Sequence, residues 1–337
     1  MIINKAVNNQ FYSVISHVKN TSTMLDCSGS SVMIIHQDQI VAEEYWGSHS
    51  TTRHARPIQE DSQFHVASVR KSYIGFAVAY AVQNGYIKSI DDAVTTYLKD
   101  INHELLGETT IRHLLTHTHG LTTNDGKILR EFAPGQSWAY RDINIDFLTQ
   151  IVKITSGKTV AQILDEQVFT PLGFKETGWY DEPKEQLVEV MRQANDKFWS
   201  TSKGTDGDQK NMYVSTRELA YWGYVHLKQG FINGKQVVPA DILKLATTLQ
   251  SPILLDKDLP QNGFLWFVKD LPAAKTEIGL LVPKDSYQIL GYTNVALLVI
   301  PEHDVVAVRM FNRFGSTPTY DYLSDIRAFG DTVMGCL

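Results

Sequence analysis

The sequence predicts an α+β fold, with an antiparallel sheet built from both ends of the chain, flanked by helices and interrupted by a helical insertion. Three observations predict it. Runs rich in β-branched and aromatic residues lie at Ser31–Trp46 and again at Phe264–Met310. Between them, apolar residues recur at helical rather than strand spacing. No internal repeat or low-complexity stretch divides the 337 residues. The expected division is a sheet domain from 1–85 and 205–337, a helical domain over 86–204, and a cleft between the two.

Each element has its own signal. Ser31–His36 and Ile40–Trp46, separated by Gln37-Asp38-Gln39, read as a hairpin. From Ser68 to Asn84, Val69, Tyr73, Ile74, Ala77, Val78, Ala81 and Val82 recur at three and four, and Gly85 follows as a helix terminator. Ile111–His117, Ile143–Ser156 and Val160–Val168 read as helices, punctuated by Pro134-Gly135 and Pro171-Leu172-Gly173. Asn195–Asn211 is polar and glycine-bearing, and is expected as an exposed loop. Thr216–Gln229 reads as a further helix. Phe264–Val268, Val295–Ile300 and Val305–Met310 are expected strands.

Composition narrows the function. Hydrophobic residues make up 43% and charged residues 20%, an ordinary soluble balance. The net charge of −6 comes from 31 basic and 37 acidic residues without a basic cluster, so nucleic acid is not an expected partner. No run of 18 apolar residues suits a membrane span. The N-terminus lacks the pattern of a signal peptide, which makes the expected location cytoplasmic. Cys27 and Cys336 lie near opposite ends, outside any metal or redox spacing, and are read as inert. Nothing in the sequence speaks to oligomeric state.

Several short motifs fail on context. Thr155-Ser-Gly-Lys-Thr159 ends like a phosphate-binding loop, but Val152 occupies the place of the required glycine. His113, His117 and His119 lack a matching downstream ligand set, and histidines closing a helix suit its dipole. Ser-x-x-Lys occurs three times, at Ser16/Lys19, Ser68/Lys71 and Ser200/Lys203. The spacing places hydroxyl and amine on one helical face, where the amine can take the serine proton. The first copy lies in a polar amphipathic stretch and the third in a polar loop. Only Ser68 opens a strongly apolar helix, after Phe64-His-Val-Ala67.

Phe64-His-Val-Ala-Ser-Val-Arg-Lys71 resembles the nucleophile motif of the class C β-lactamase and penicillin-binding-protein-like serine hydrolases. Matches continue in order through Gly85–Asp92, Tyr97-Leu98, Ile111–Leu121, Pro134–Tyr140, Val168–Gly173, Val214–Ala220 and Val299–Asp304. The likeness spans about Ser30 to Asn312. It implies a β-lactamase/transpeptidase-like fold, an acyl-enzyme on Ser68, and proton transfer by Lys71 and Tyr140. It also implies no metal or organic cofactor.

Two motifs depart from the family pattern. The usual Tyr-x-Asn reads Tyr140-Arg141-Asp142, with Asn144 two residues on. A carboxylate beside Lys71 holds that lysine protonated and shifts the role of base toward Tyr140. The usual Lys-Thr-Gly or His-x-Gly aligns with Ile289-Leu290-Gly291. Gly291 still permits close approach, and the N–H of Tyr292 is expected to complete an oxyanion hole with that of Ser68. The motif's carboxylate-holding groups are absent, with Arg309 or Arg313 as possible substitutes. Losing one charge-assisted hydrogen bond costs about 1.5–3 kcal/mol. The expectation is therefore hydrolysis of a small ester, amide or peptide ahead of β-lactamase or penicillin-binding activity proper. A weakly catalytic ligand-binding module on the same fold is the alternative. Trp138, Trp199, Trp266 and Tyr292 are candidates to line the pocket, although core packing explains each equally well.

Overall fold

Both ends of the chain meet in one sheet. In the computed structural model, which describes residues 1–194, 196, 199, 200 and 202–337, Gly29–His36 lies antiparallel to Val305–Phe311. Eight strands follow in the order Asn4–Lys5, Gln39–Gly47, Gly29–His36, Val305–Phe311, Ala296–Ile300, Ser286–Leu290, Phe267–Lys269 and Gln261–Asn262. All neighbours are antiparallel except the first pair. The expected hairpin turns through Gln37 and Asp38, both at positive φ, matching the twist of its strands.

The sheet is covered on both faces, which explains why its central strands read as unbroken apolar runs. Leu297 and Val299 enter one core with Tyr73, Ala77 and Trp222, whereas Ala296, Leu298 and Ile300 enter another with Val14, Val18 and Phe329. The first core is roofed by helices Arg70–Gln83 and Thr216–Leu227. The second is closed by Tyr12–Met24 and Tyr322–Met334.

Helix Arg70–Gln83 ends as its glycine suggested. Gly85 takes φ 73°, its N–H bonds the carbonyl of Val82, and the N–H of Tyr86 bonds that of Ala81. Helix Ile143–Ser156 likewise ends at left-handed Gly157, and Thr159 caps Val160–Leu164 with Gln162 reciprocating. The lysine-threonine motif is thus a helix–helix connection.

Some expectations shift. Of the anticipated Phe264–Val268 strand only Phe267 and Val268 are extended, within strand Phe267–Lys269, because Leu265 adopts φ 66° and the N–H of Gly263 bonds the carbonyl of Trp266. That apolar run is a buried turn. Val160–Val168 is helical only to Leu164 and then widens into a π-turn over Asp165–Phe169. Helix Ile111–Leu115 stops short of His117, which has φ 57°. The insertion also contains strands: Leu121–Asn124 pairs with Lys127–Arg130, and Thr177–Trp179 joins Met212–Ser215 and Gln63–His65 in a small sheet. Within the loop expected at Asn195–Asn211, Asn195, Lys197, Phe198 and Thr201 lie outside the described residues. Asn211 is buried there rather than exposed, donating to the carbonyls of Tyr180 and Gly204.

Candidate active site

Strand Gln63–His65 delivers the chain into a strained turn. Ala67 adopts φ 46°, a left-handed conformation costly for a residue with a Cβ, and its N–H bonds Nδ1 of His65. The turn Ala67–Val69 winds as a 3₁₀ helix and runs into Arg70–Gln83. Ser68 lies in that turn, half-buried, and Lys71 follows in the first turn of the α-helix, fully buried.

The end of strand Ser286–Leu290 is pressed onto this turn. Thr293 donates from Oγ1 to the carbonyl of His65 at 2.7 Å. A Cβ on Gly291 would lie 2.4 Å from the carbonyl oxygen of Val66. Glycine is therefore a steric requirement here, since it lets the chain carrying Tyr292 sit beside the turn carrying Ser68.

Tyr140 arrives from the loop before helix Ile143–Ser156. Its ring stacks on His117 with centroids 4.4 Å apart, and the N–H of Ala139 bonds the carbonyl of His117. Nζ of Lys71 lies 3.8 Å from the Tyr140 ring centroid and 2.7 Å from Oδ1 of Asp142. Asp142 also faces Lys210 at 3.3 Å. Burial opposes ionisation of Asp142, but the Lys71 charge and its direct contact prevail and hold the carboxyl far below the usual carboxylate range. Burial, reinforced by the Lys71 charge, holds His117 well below its ordinary value, so its ring is neutral imidazole.

Two adjoining cavities open at this point. One, of about 580 Å³, is lined by Ser68, Arg70, Asp142, Trp199, Lys210 and Phe314 among others. The second, of about 340 Å³, is lined by Phe267, Glu277, Leu290, Gly291 and Tyr322 among others. Ser68, Tyr140 and Tyr292 line both. A hydroxyl, a phenol and an ion-paired ammonium thus gather where two lobes of one cleft join, an arrangement suited to nucleophilic attack with proton transfer.

The family model for Beta-lactamase matches residues 14–330. The chain belongs to the beta-lactamase family. It is 63% identical over its whole length to an uncharacterized protein of Alkalihalophilus pseudofirmus, covering 99% of that protein. It is also 30% identical to the esterase EstB of Burkholderia gladioli over 40% of this chain and 42% of the esterase. A penicillin-binding protein homolog from Caulobacter crescentus superposes over the full length of both chains with a TM-score of 0.77 at 17% identity, which shows the shared β-lactamase/transpeptidase fold. Membership places this beta-lactamase-family enzyme among the serine hydrolases.

Not every residue expected at the site reaches it. Asn144 is fully buried, donating from Nδ2 to the carbonyl of Leu114 at 2.8 Å and lying 3.5 Å from Nδ1 of His117. It braces the helix end that carries His117 and does not line either cavity. Trp138 donates to Asn262, and Trp266 is buried in the core; of the four aromatic candidates, Trp199 and Tyr292 line the cleft. Neither Arg309 nor Arg313 replaces the missing third-motif cation. Arg309 is fully buried against Asp325, and Arg313 faces Asp26 at 3.7 Å. Ile289 faces the core, and only Leu290 of the altered pair lines a cavity.

Sequence reasoning missed Arg70, Lys210, His65, Phe314 and Glu277. Arg70 lies between Ser68 and Lys71 in sequence, and a buried charge at the start of an apolar helix is the signal that marks it. His65 lies tilted against Trp199 with centroids 5.3 Å apart, and Phe314 packs edge-on against both Trp199 and Tyr292. This aromatic wall joins remote segments and left no local pattern to read.

Proposed function

We propose that this protein hydrolyses a small ester or amide through an acyl-enzyme on Ser68. The observation carrying the reading is that Ser68, Tyr140 and Tyr292 are shared by the two lobes, so a substrate spanning the cleft has its carbonyl at their junction. The Ser68 hydroxyl attacks that carbonyl and passes its proton to the Tyr140 phenolate, whose charge the Lys71 ammonium balances. The backbone N–H groups of Ser68 and Tyr292 receive the oxyanion. Collapse expels the leaving group, which takes the proton back from Tyr140. Water then attacks the acyl-enzyme by the same route in reverse, releasing the acid and free Ser68.

Ester-like substrates are favoured over β-lactams because Ile289 and Leu290 offer no charge to a substrate carboxylate. The test is turnover of 4-nitrophenyl acetate, expected in the wild type and lost in Ser68→Ala. A chromogenic cephalosporin is expected to turn over far more slowly than the ester. Faster cephalosporin hydrolysis overturns the preference. Stoichiometric acylation without turnover replaces the hydrolase by a binding module, and absence of any serine labelling defeats both.

A further inference from the structure

The smaller lobe has a composition that the reaction at Ser68 does not explain. Its wall is mainly aromatic and aliphatic, with Tyr140, Phe267, Leu290, Tyr292 and Tyr322, and its neutral polar members are Ser68, Asn294 and Ser316. A single carboxylate, Glu277, lies among them. Taking a carboxylate out of water is costly unless a cation or hydrogen bonds compensate it. Among the described residues Glu277 has no ion-pair partner, and its carboxylate accepts one hydrogen bond, from the Tyr322 hydroxyl to Oε2 at 3.0 Å. Arg327, whose charge acts on Glu277, is committed elsewhere, as are the buried Lys71 and Arg309. Lys71 pairs with Asp142 and Arg309 with Asp325, while Arg327 donates to the carbonyls of Ala274 and Thr276. Burial accordingly pushes the Glu277 carboxyl up, against the opposing Tyr322 bond and Arg327 charge.

Aromatic rings around one desolvated carboxylate are the chemistry that recognises an organic ammonium ion. The ring faces attract the cation's diffuse charge, and the carboxylate supplies the counter-charge. We infer that the smaller lobe is a subsite for a cationic group on the substrate, with Glu277 as its anchor, so that the preferred substrates are esters or amides bearing an alkylammonium. The inference rests on the proposed hydrolase reading and names its substrate class.

Two isosteric pairs test it: acetylthiocholine against 3,3-dimethylbutyl thioacetate, with the charge on the leaving side, and 4-nitrophenyl esters of 4-(trimethylammonio)butyrate against 5,5-dimethylhexanoate, with the charge on the acyl side. In at least one pair the wild type is expected to favour the cationic member in kcat/KM by about tenfold or more, and Glu277→Gln is expected to erase that ratio. Because the ratio is taken within each variant, a general loss of activity cancels. A neutral preference in both pairs, or a cationic preference that survives Glu277→Gln, overturns the inference. Tetramethylammonium chloride should also inhibit wild-type hydrolysis of 4-nitrophenyl acetate more than sodium chloride at equal ionic strength, a readout that needs no variant; equal inhibition counts against the subsite. Should no ester be turned over, the hydrolase reading fails by itself, and calorimetric titration with tetramethylammonium decides the subsite: saturable binding supports it and no binding rejects it.

Discussion

The ammonium of Lys71 lies against the face of the Tyr140 ring, 3.8 Å from its centroid, with the Asp142 carboxylate 2.7 Å away. These three groups are one electrostatic unit. Lys71 is fully buried and needs a counter-charge, which Asp142 supplies from the start of helix Ile143–Ser156, where the helix dipole also favours a carboxylate.

The first expectation concerns that carboxylate. Asp142 is ionised throughout the working range, so it imposes a constant negative charge on Lys71 and the Tyr140 ring beside it. Asp142→Asn removes it, and the limb of the pH–rate profile at which the proposed Ser68 base becomes active should move to lower pH. Stopped-flow or plate-based kcat/KM for 4-nitrophenyl acetate across pH checks this. An unmoved limb excludes Asp142 from control of the base.

Gly291→Ala should damage catalysis more than folding. Its Cβ would meet the Val66 carbonyl at 2.4 Å and push the Tyr292 segment away from the turn carrying Ser68. Misplacement on the scale of an ångström costs about a hundredfold in rate. The expected result is a fall of that order in kcat, with KM changed much less and the helix signal in circular dichroism retained.

Asn144→Ala should weaken the site from behind. Its loss leaves the buried carbonyl of Leu114 unpaired, at a cost of about 1–3 kcal/mol. Chemical denaturation should report that loss. Activity should fall with it, because the helix end it braces carries the His117 ring on which Tyr140 stacks.

The buried pair Arg309–Asp325 should dominate the acid response of the second core. Burial opposes ionisation of Asp325, but contacts from His17, Arg309, Tyr320 and Thr21 hold its carboxyl well below the usual range. A carboxyl depressed in the folded state contributes stability above its unfolded pKa of about 3.9, and that contribution is lost as pH falls toward the folded value. Asp325→Asn should therefore cost about 3–5 kcal/mol at pH 7, leaving Arg309 buried without its counter-charge. The gap to wild type should narrow below about pH 4. Denaturant titrations at pH 7 and at acid pH check both statements.

Legibility in the sequence followed the range of the interactions. Helix Arg70–Gln83 and the turn before it were readable because the apolar spacing, the terminating glycine and the serine–lysine step all lie within one continuous segment. The central strands were readable because the sheet is covered on both faces, leaving Ala296–Ile300 and Val305–Phe311 as plain apolar runs. Phe264–Trp266 misled for the same reason, since burial alone does not separate a strand from a buried turn whose Leu265 is left-handed. Asn144 misled because proximity in sequence to Tyr140 said nothing of direction: one helical turn carries its side chain away from the cleft and into the His117 bend. Arg70, Lys210 and Glu277 come to one cleft from three distant segments, and only tertiary structure brings them together.

The antiparallel pairing of Gly29–His36 with Val305–Phe311 has a kinetic corollary. During synthesis the turn carrying Ser68 leaves the ribosome more than two hundred residues before Gly291 and its neighbours. The central sheet then waits for a strand made later still. Such late, long-range closure slows folding and leaves apolar strand edges exposed on the nascent chain, inviting chaperone capture. The cleft residues Ser68, Tyr140 and Tyr292 therefore come together only after the strand that precedes Gly291 has been made and seated.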